Sequence, residues 1–220
     1  MFPSTNLFSK NALISPLLIV NRVECVSSEN SNLLIGTNTN GLELTSGSSN
    51  VLLGCPTGTL LTTGSANTLV GGSVGMKLST GTRNTCLGHE TCGELNSGDD
   101  NVVVGASAGA GLTQGSTNVL MGPTSGSLLV TGSGNTCCGA NSNVSHSAAV
   151  NQTALGNGAV CVSDNSIMLG DANVRGVHVG SLNALPGPFS NNSHAAEAGV
   201  KVGQLYRLSG SGHTTICVRI

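Results

Sequence analysis

The chain has 220 residues, of which 8% are charged and 2% aromatic, with 32 glycines and a formal net charge of -2. That balance supplies no basic field for nucleic acid, and no run of roughly 20 apolar residues could span a membrane. All four aromatics (Phe2, Phe8, Phe189 and Tyr206) lie outside residues 31–180, so a core there must form without large rings. Val and Leu recur at regular positions, which separates this chain from low-hydrophobicity disorder.

Residues 1–30 carry no repeat. The apolar stretch ALISPLLIV (12–20) follows Lys10 in the manner of a signal peptide. Pro16 interrupts it, however, and no small-residue cleavage site follows cleanly. The segment is read as an N-terminal arm that docks the rest onto a larger assembly.

From residue 31 to 180 the sequence repeats. An Asn recurs at Asn32, Asn50, Asn67, Asn84, Asn101, Asn118 and Asn135, with one 18-residue step and then 17-residue steps throughout. Four positions after each stands a Gly: Gly36, Gly54, Gly71, Gly88, Gly105, Gly122 and Gly139. Gly47, Gly64, Gly81, Gly98, Gly115 and Gly132 keep the same period, as do Leu44, Leu61, Leu78, Leu95, Leu112 and Leu129. One short period in several registers specifies a solenoid.

The segments between Asn and Gly (LLI, VLL, TLV, TCL, VVV, VLM, TCC) are too short for helix and rich in strand formers. Apolar or Thr side chains at all three positions predict a parallel sheet covered on both faces. One face would look into the coil and the other would need a second chain. Buried positions are expected at Leu44, Val51, Leu53 and Leu61. Gly would serve the turns that need positive φ. The Asn would sit at a corner, its amide bonding from rung to rung.

After Gly139 the pattern drifts. QTALG (152–156) keeps the 17-residue step with Gln152 in the Asn place. NSIMLG (165–170) follows at a 14-residue step, Gly156 to Gly170, and VHVG (177–180) at a still shorter one. The stretch NQTALGNGAVCVSDNSIMLGDANVRGVHVG resembles the head repeats of trimeric autotransporter adhesins, the YadA-like family. The longer phrase is similar to repeats of phage tail fibres and of structural proteins of large DNA viruses. That resemblance implies a homotrimer, each chain a left-handed parallel β-roll packed about one axis.

Residues 181–220 form a linker and C-terminal cap. AAEAG (195–199) is expected to make one helical turn stopped by Gly199. VKVGQLYRL (200–208) and HTTICVRI (213–220) read as a hairpin around SGSG. This tail resembles C-terminal tails of phage and viral surface proteins. There is no heptad stalk and no outer-membrane strand pattern.

Candidate chemistry is sparse. The eight Cys (25, 55, 86, 92, 137, 138, 161 and 217) match no disulfide framework, and are read as small buried hydrophobes in a reducing compartment. Cys86, His89 and Cys92 form C-x-x-H-x-x-C, read as core thiol and exposed imidazole because a zinc site wants a fourth ligand. Asp99 and Asp100 read as a solvated turn, since calcium needs six or more oxygens. Asn143, Asn151 and Asn191 match the glycosylation acceptor pattern, which chance explains in a chain rich in Asn and Ser. No catalytic grouping, cofactor or metal site is expected.

The fold class expected is therefore an all-β parallel solenoid of 17-residue and then 14-residue coils. The expected role is a non-enzymatic virion surface protein, a trimeric fibre, spike or minor capsid component. Its partners would be its own copies, other capsid proteins and a host-cell receptor, with no nucleic acid and no membrane insertion. A bacterial adhesin head fragment is the alternative. An acyltransferase β-helix would want an apolar residue every six, and an ice-binding face an unbroken Thr row. Thr62, Thr63 and Thr80 begin such a row, but Asn96, Ser97 and Gln114 break it.

Overall fold

A computed structural model describes residues 31–36 and 45–174, and the backbone of two later strands. Nine strands of three residues each follow one another: β1 Leu33–Ile35, β2 Val51–Leu53, β3 Thr68–Val70, β4 Thr85–Leu87, β5 Val102–Val104, β6 Val119–Met121, β7 Thr136–Cys138, β8 Thr153–Leu155 and β9 Ile167–Leu169. They pair in chain order, every pair parallel, in one nine-stranded sheet. The register gives an 18-residue coil for Leu33↔Val51, 17-residue coils for pairs such as Val51↔Thr68, and a 14-residue coil for Thr153↔Ile167. At about 4.8 Å per rung the eight steps give a rod roughly 38 Å long. The solenoid is thus the one the repeat foretold, including the shortening of its last coil.

The connections between strands also stack. Thr62 N–H donates to the Ser79 carbonyl at 3.0 Å, Ser79 to Asn96 at 2.9 Å and Asn96 to Thr113 at 2.8 Å. Backbone groups in the loops thereby find partners in the next coil, which a chain with so few helix or hairpin bonds requires.

Inside each coil the core is thin. The middle residue of every strand from Leu52 to Ala154 is fully buried, facing a column of fully buried Leu61, Leu78, Leu95, Leu112 and Leu129. The expectation that Val51 and Leu53 are buried fails: Val51 is half-buried and Leu53 exposed, while Leu52 points inward. Successive strand residues face opposite sides, so a three-residue strand sends one side chain in and two out. Where the Leu column reaches position 146 it meets His146, which is exposed, and Val144 fills the interior instead.

The Asn column is interior, and its amides bond from rung to rung as expected. Asn50, Asn67, Asn84, Asn101, Asn118 and Asn135 are all fully buried. A residue of positive φ precedes each: Ser49, Ala66, Arg83, Asp100 and Thr117 lie between 56° and 59°, and Gly134 is at 71°. Gly takes positive φ as expected in the turn after each strand, Gly54, Gly71, Gly88, Gly105 and Gly122 lying between 125° and 149°, while the corners from Ser49 to Thr117 use ordinary side chains. Hydrogen bonds from the corner N–H groups of Ala66, Arg83, Asp100 and Thr117 to the preceding coil, such as Arg83 to the Ser65 carbonyl at 2.9 Å, help hold the left-handed turn.

Contacts divide the chain into two compact units, Met1–Asn173 and Val174–Ile220. In the second, β10 (Leu205–Leu208) and β11 (Thr215–Val218) pair antiparallel. The expected docking arm, the VHVG phrase and the helical turn at 195–199 lie outside the described residues.

Candidate interaction surface

The two outward residues of each strand form two columns along the rod. One runs Leu33, Val51, Thr68, Thr85, Val102, Val119, Thr136, Thr153, Ile167; the other Ile35, Leu53, Val70, Leu87, Val104, Met121, Cys138, Leu155, Leu169. None of these side chains is charged. All are half-buried or exposed, with Met121 43% and Leu155 39% accessible. Nine rungs at about 4.8 Å, with strands roughly 10 Å long, make a nearly apolar strip on the order of 400 Å². Contiguous patches of that size mark interaction sites more often than bare surface.

The other sides of the rod carry the charge. Lys77 meets Glu94, and the Arg83 guanidinium grips both oxygens of Asp100, each pair lying 17 residues apart in adjacent coils. The Arg83 contact holds the Asp100 carboxyl below its usual range. Asp99 Oδ1 accepts from Thr82 N–H at 2.7 Å and from its hydroxyl at 2.8 Å, so both acids belong to coil-to-coil ladders.

The repeat Asn form the most regular array. Asn67 N–H and Nδ2 both donate to Asn50 Oδ1, at 2.9 and 3.0 Å, and Nδ2 also donates to the Gly81 carbonyl at 2.8 Å. The same three bonds recur from Asn50 to Asn135, where Ala149 supplies the last carbonyl. Each amide satisfies its own buried polar atoms and one backbone N–H of the next coil.

Gln152 ends this pattern. Its N–H still donates to Asn135 Oδ1 at 3.0 Å, but its longer side chain bonds Ser145 and Asp164. Asp164 Oδ1 accepts from the Val150 N–H at 2.8 Å and from Gln152 Nε2 at 2.8 Å, and His146 Nε2 stands 3.2 Å away. The Val150 N–H, then the Gln152 amide, hold the Asp164 carboxyl below the ordinary carboxylate range. A carboxyl depressed in the folded state contributes stability above its unfolded pKa, which disappears as pH falls through the folded value. Below about pH 4, the thermal midpoint of the native chain should therefore fall more steeply than that of Asp164→Asn. Parallel melting curves across that range check it.

The cysteines depart from the sequence reading. Cys86 and Cys92 are joined by a disulfide, with Cα atoms 6.3 Å apart, and both are fully buried. They are not a pair of core thiols, because a strand middle and a left-handed turn six positions on face each other across the coil. His89 between them points outward and is exposed, so the C-x-x-H-x-x-C spacing does not converge on one point. Cys137 is buried and Cys138 exposed, both unbridged, and burial beside Cys161 pushes the Cys137 thiol up to about 12.

Asn143 is 8% exposed, and its side chain bonds Leu128, Ser127 and Val144, which removes it as an acceptor for sugar. Asn151 is exposed, and Asn191 lies outside the described residues. No helix among the described residues is long and apolar enough to cross a membrane. No family model matches this chain, and no curated protein matches it either.

Proposed function

We propose that the chain is a non-enzymatic virion structural protein, a homotrimeric fibre, spike or minor capsid component that forms a rigid surface rod and attaches to a host receptor. The observation that carries this reading is the outward strand face. Eighteen positions, two on each of nine rungs, hold no charge, while the loops around them carry the ion pairs. A strip on the order of 400 Å² per chain is about half of one side of a standard interface. Repeated about an axis it would give each rung the second apolar partner that a parallel sheet takes. The number three, and a C-terminal hairpin closing the assembly, follow from the resemblance of residues 151–180 and of the tail.

Light scattering on the full chain should give a mass three times that of one chain. Met121→Asp, which places a carboxylate in the middle of the strip, should leave the β-sheet circular dichroism in place and shift the mass to a monomer. A native chain that is already monomeric at micromolar concentration would remove the basis of the proposal. The virion assignment is tested separately, by locating the rod in a particle map.

The 14-residue coil ending in SIMLG favours a second reading, a bacterial adhesin head fragment. Neighbouring genes for capsid assembly, or for an outer-membrane anchor, separate the two.

A further inference from the structure

Across the coils of β2 to β6 the middle strand residue faces the residue six positions later, and the two share one slot. The pairs are Leu52 with Gly58, Leu69 with Gly75, Cys86 with Cys92, Val103 with Gly109, and Leu120 with Gly126. Where the strand residue is Leu or Val, a Cβ on its partner would crowd that side chain. A Cβ on Gly58 would stand 2.6 Å from Leu52 Cδ2, and on Gly126 2.6 Å from Leu120 Cδ2. Among the coils of β2 to β6 only that of β4 changes both members, and both become Cys; beyond them the same places hold Cys137 and Asn143, then Ala154 and Val160. A Leu beside Gly brings four side-chain heavy atoms to the slot; two bonded cysteines also bring four.

The backbone adds an independent sign. Gly58, Gly75, Gly109 and Gly126 have φ between 54° and 67°, and Cys92 takes φ 53° at the same place. A side chain in that conformation is disfavoured, and a strained residue of this kind persists when its surroundings hold it there. Two separate thiols would not fit as the disulfide does. Unbonded sulfurs keep about the distance of a van der Waals contact, well beyond a covalent bond of about 2.05 Å.

We propose that Cys86 and Cys92 form an oxidation-dependent clasp in the middle of the rod, firm in an oxidising medium and loosened in a reducing one. The oxidant is a disulfide such as oxidised glutathione. One cysteine thiolate attacks it and releases a first thiol, leaving a mixed disulfide. The second cysteine thiolate attacks the protein sulfur of that bond and releases a second thiol. Two protein thiols lose two electrons and two protons, and the oxidant's disulfide becomes two thiols. Because both sulfurs are fully buried, exchange takes place before the coil closes or during its local opening. The clasp does not depend on how many chains assemble.

The test uses the full chain equilibrated with oxidised or reduced glutathione. Non-reducing peptide mapping should find Cys86 linked to Cys92 in the oxidised sample. Reduction should raise amide exchange in residues 84–95 about tenfold or more, and leave the strand at Thr153–Leu155 unchanged. Cys86→Leu/Cys92→Gly, which copies the adjoining coils, should exchange at one rate in both media. Absence of the Cys86–Cys92 link under oxidised glutathione overturns the proposal. So does a link whose reduction leaves exchange in residues 84–95 as it was, a result open to the native chain even if the double variant fails to fold.

Discussion

Replacing Asn101 by Ala should lower the unfolding free energy by about 3–5 kcal/mol, measured as a drop in the denaturant midpoint. The amide serves two coils. Its Oδ1 accepts from the Asn118 N–H at 3.0 Å and from Asn118 Nδ2 at 3.1 Å. Its Nδ2 donates to Asn84 Oδ1 at 2.9 Å and to the Gly115 carbonyl at 2.9 Å. Truncation strips the Asn118 N–H and the Gly115 carbonyl of these bonds inside a fully buried column. Each such loss costs about 1–3 kcal/mol, because no water replaces the partner. The removed amide also leaves a gap in a core with little to fill it. Asn96→Ala is the control: that side chain is exposed, and its loss should stay within about 0.5 kcal/mol. Equal effects of the two would mean that the ladder follows from the fold without supporting it.

The ladder also shows where the sequence was readable. A 17-residue period in Asn, Gly and Leu leaves no architecture but stacked coils, and the 14-residue step was visible from Gly156 to Gly170. Interior and exterior of the strand were harder. The outer columns admit Thr at Thr68, Thr85, Thr136 and Thr153, whereas the middle column is apolar throughout. That contrast, with the alternation of a strand, identifies the inward residue, but it appears only when the rungs are aligned column by column.

The Cys86–Cys92 bond was less legible, because residues six apart in sequence meet only after the chain has turned through a left-handed corner. What the sequence does contain is a paired exception: Leu and Gly give way to Cys and Cys in one coil. The left-handed corners at Ala66, Arg83 and Asp100 were illegible for a related reason. Their conformation is held in part by backbone bonds to the previous coil, so no local preference of the residue announces it. For the interaction surface, the sequence showed that the strand had apolar residues to spare, and the structure shows which columns carry them.

Gly71→Ala should be more damaging than the loss of an Asn, at about 4 kcal/mol or beyond, with failure to fold as its extreme. Two causes act together. Gly71 has φ +131°, a region closed to side chains, and an added Cβ would lie 2.1 Å from the carbonyl oxygen of Gly88 in the next rung. That oxygen is backbone, so relief requires the rungs to part, at the cost of the parallel bonds between β3 and β4. Gly156 separates the two causes. It keeps φ +120°, but the shorter last coil leaves its Cβ no nearer than 3.2 Å to Gly170 Cα. Gly93 has neither burden, with Glu90 O at 3.8 Å as its nearest neighbour. Thermal midpoints should therefore fall most for Gly71→Ala, less for Gly156→Ala, and hardly at all for Gly93→Ala. If Gly156→Ala proves as harmful as Gly71→Ala, strain in the turn rather than the spacing of the coils is what demands glycine after every strand.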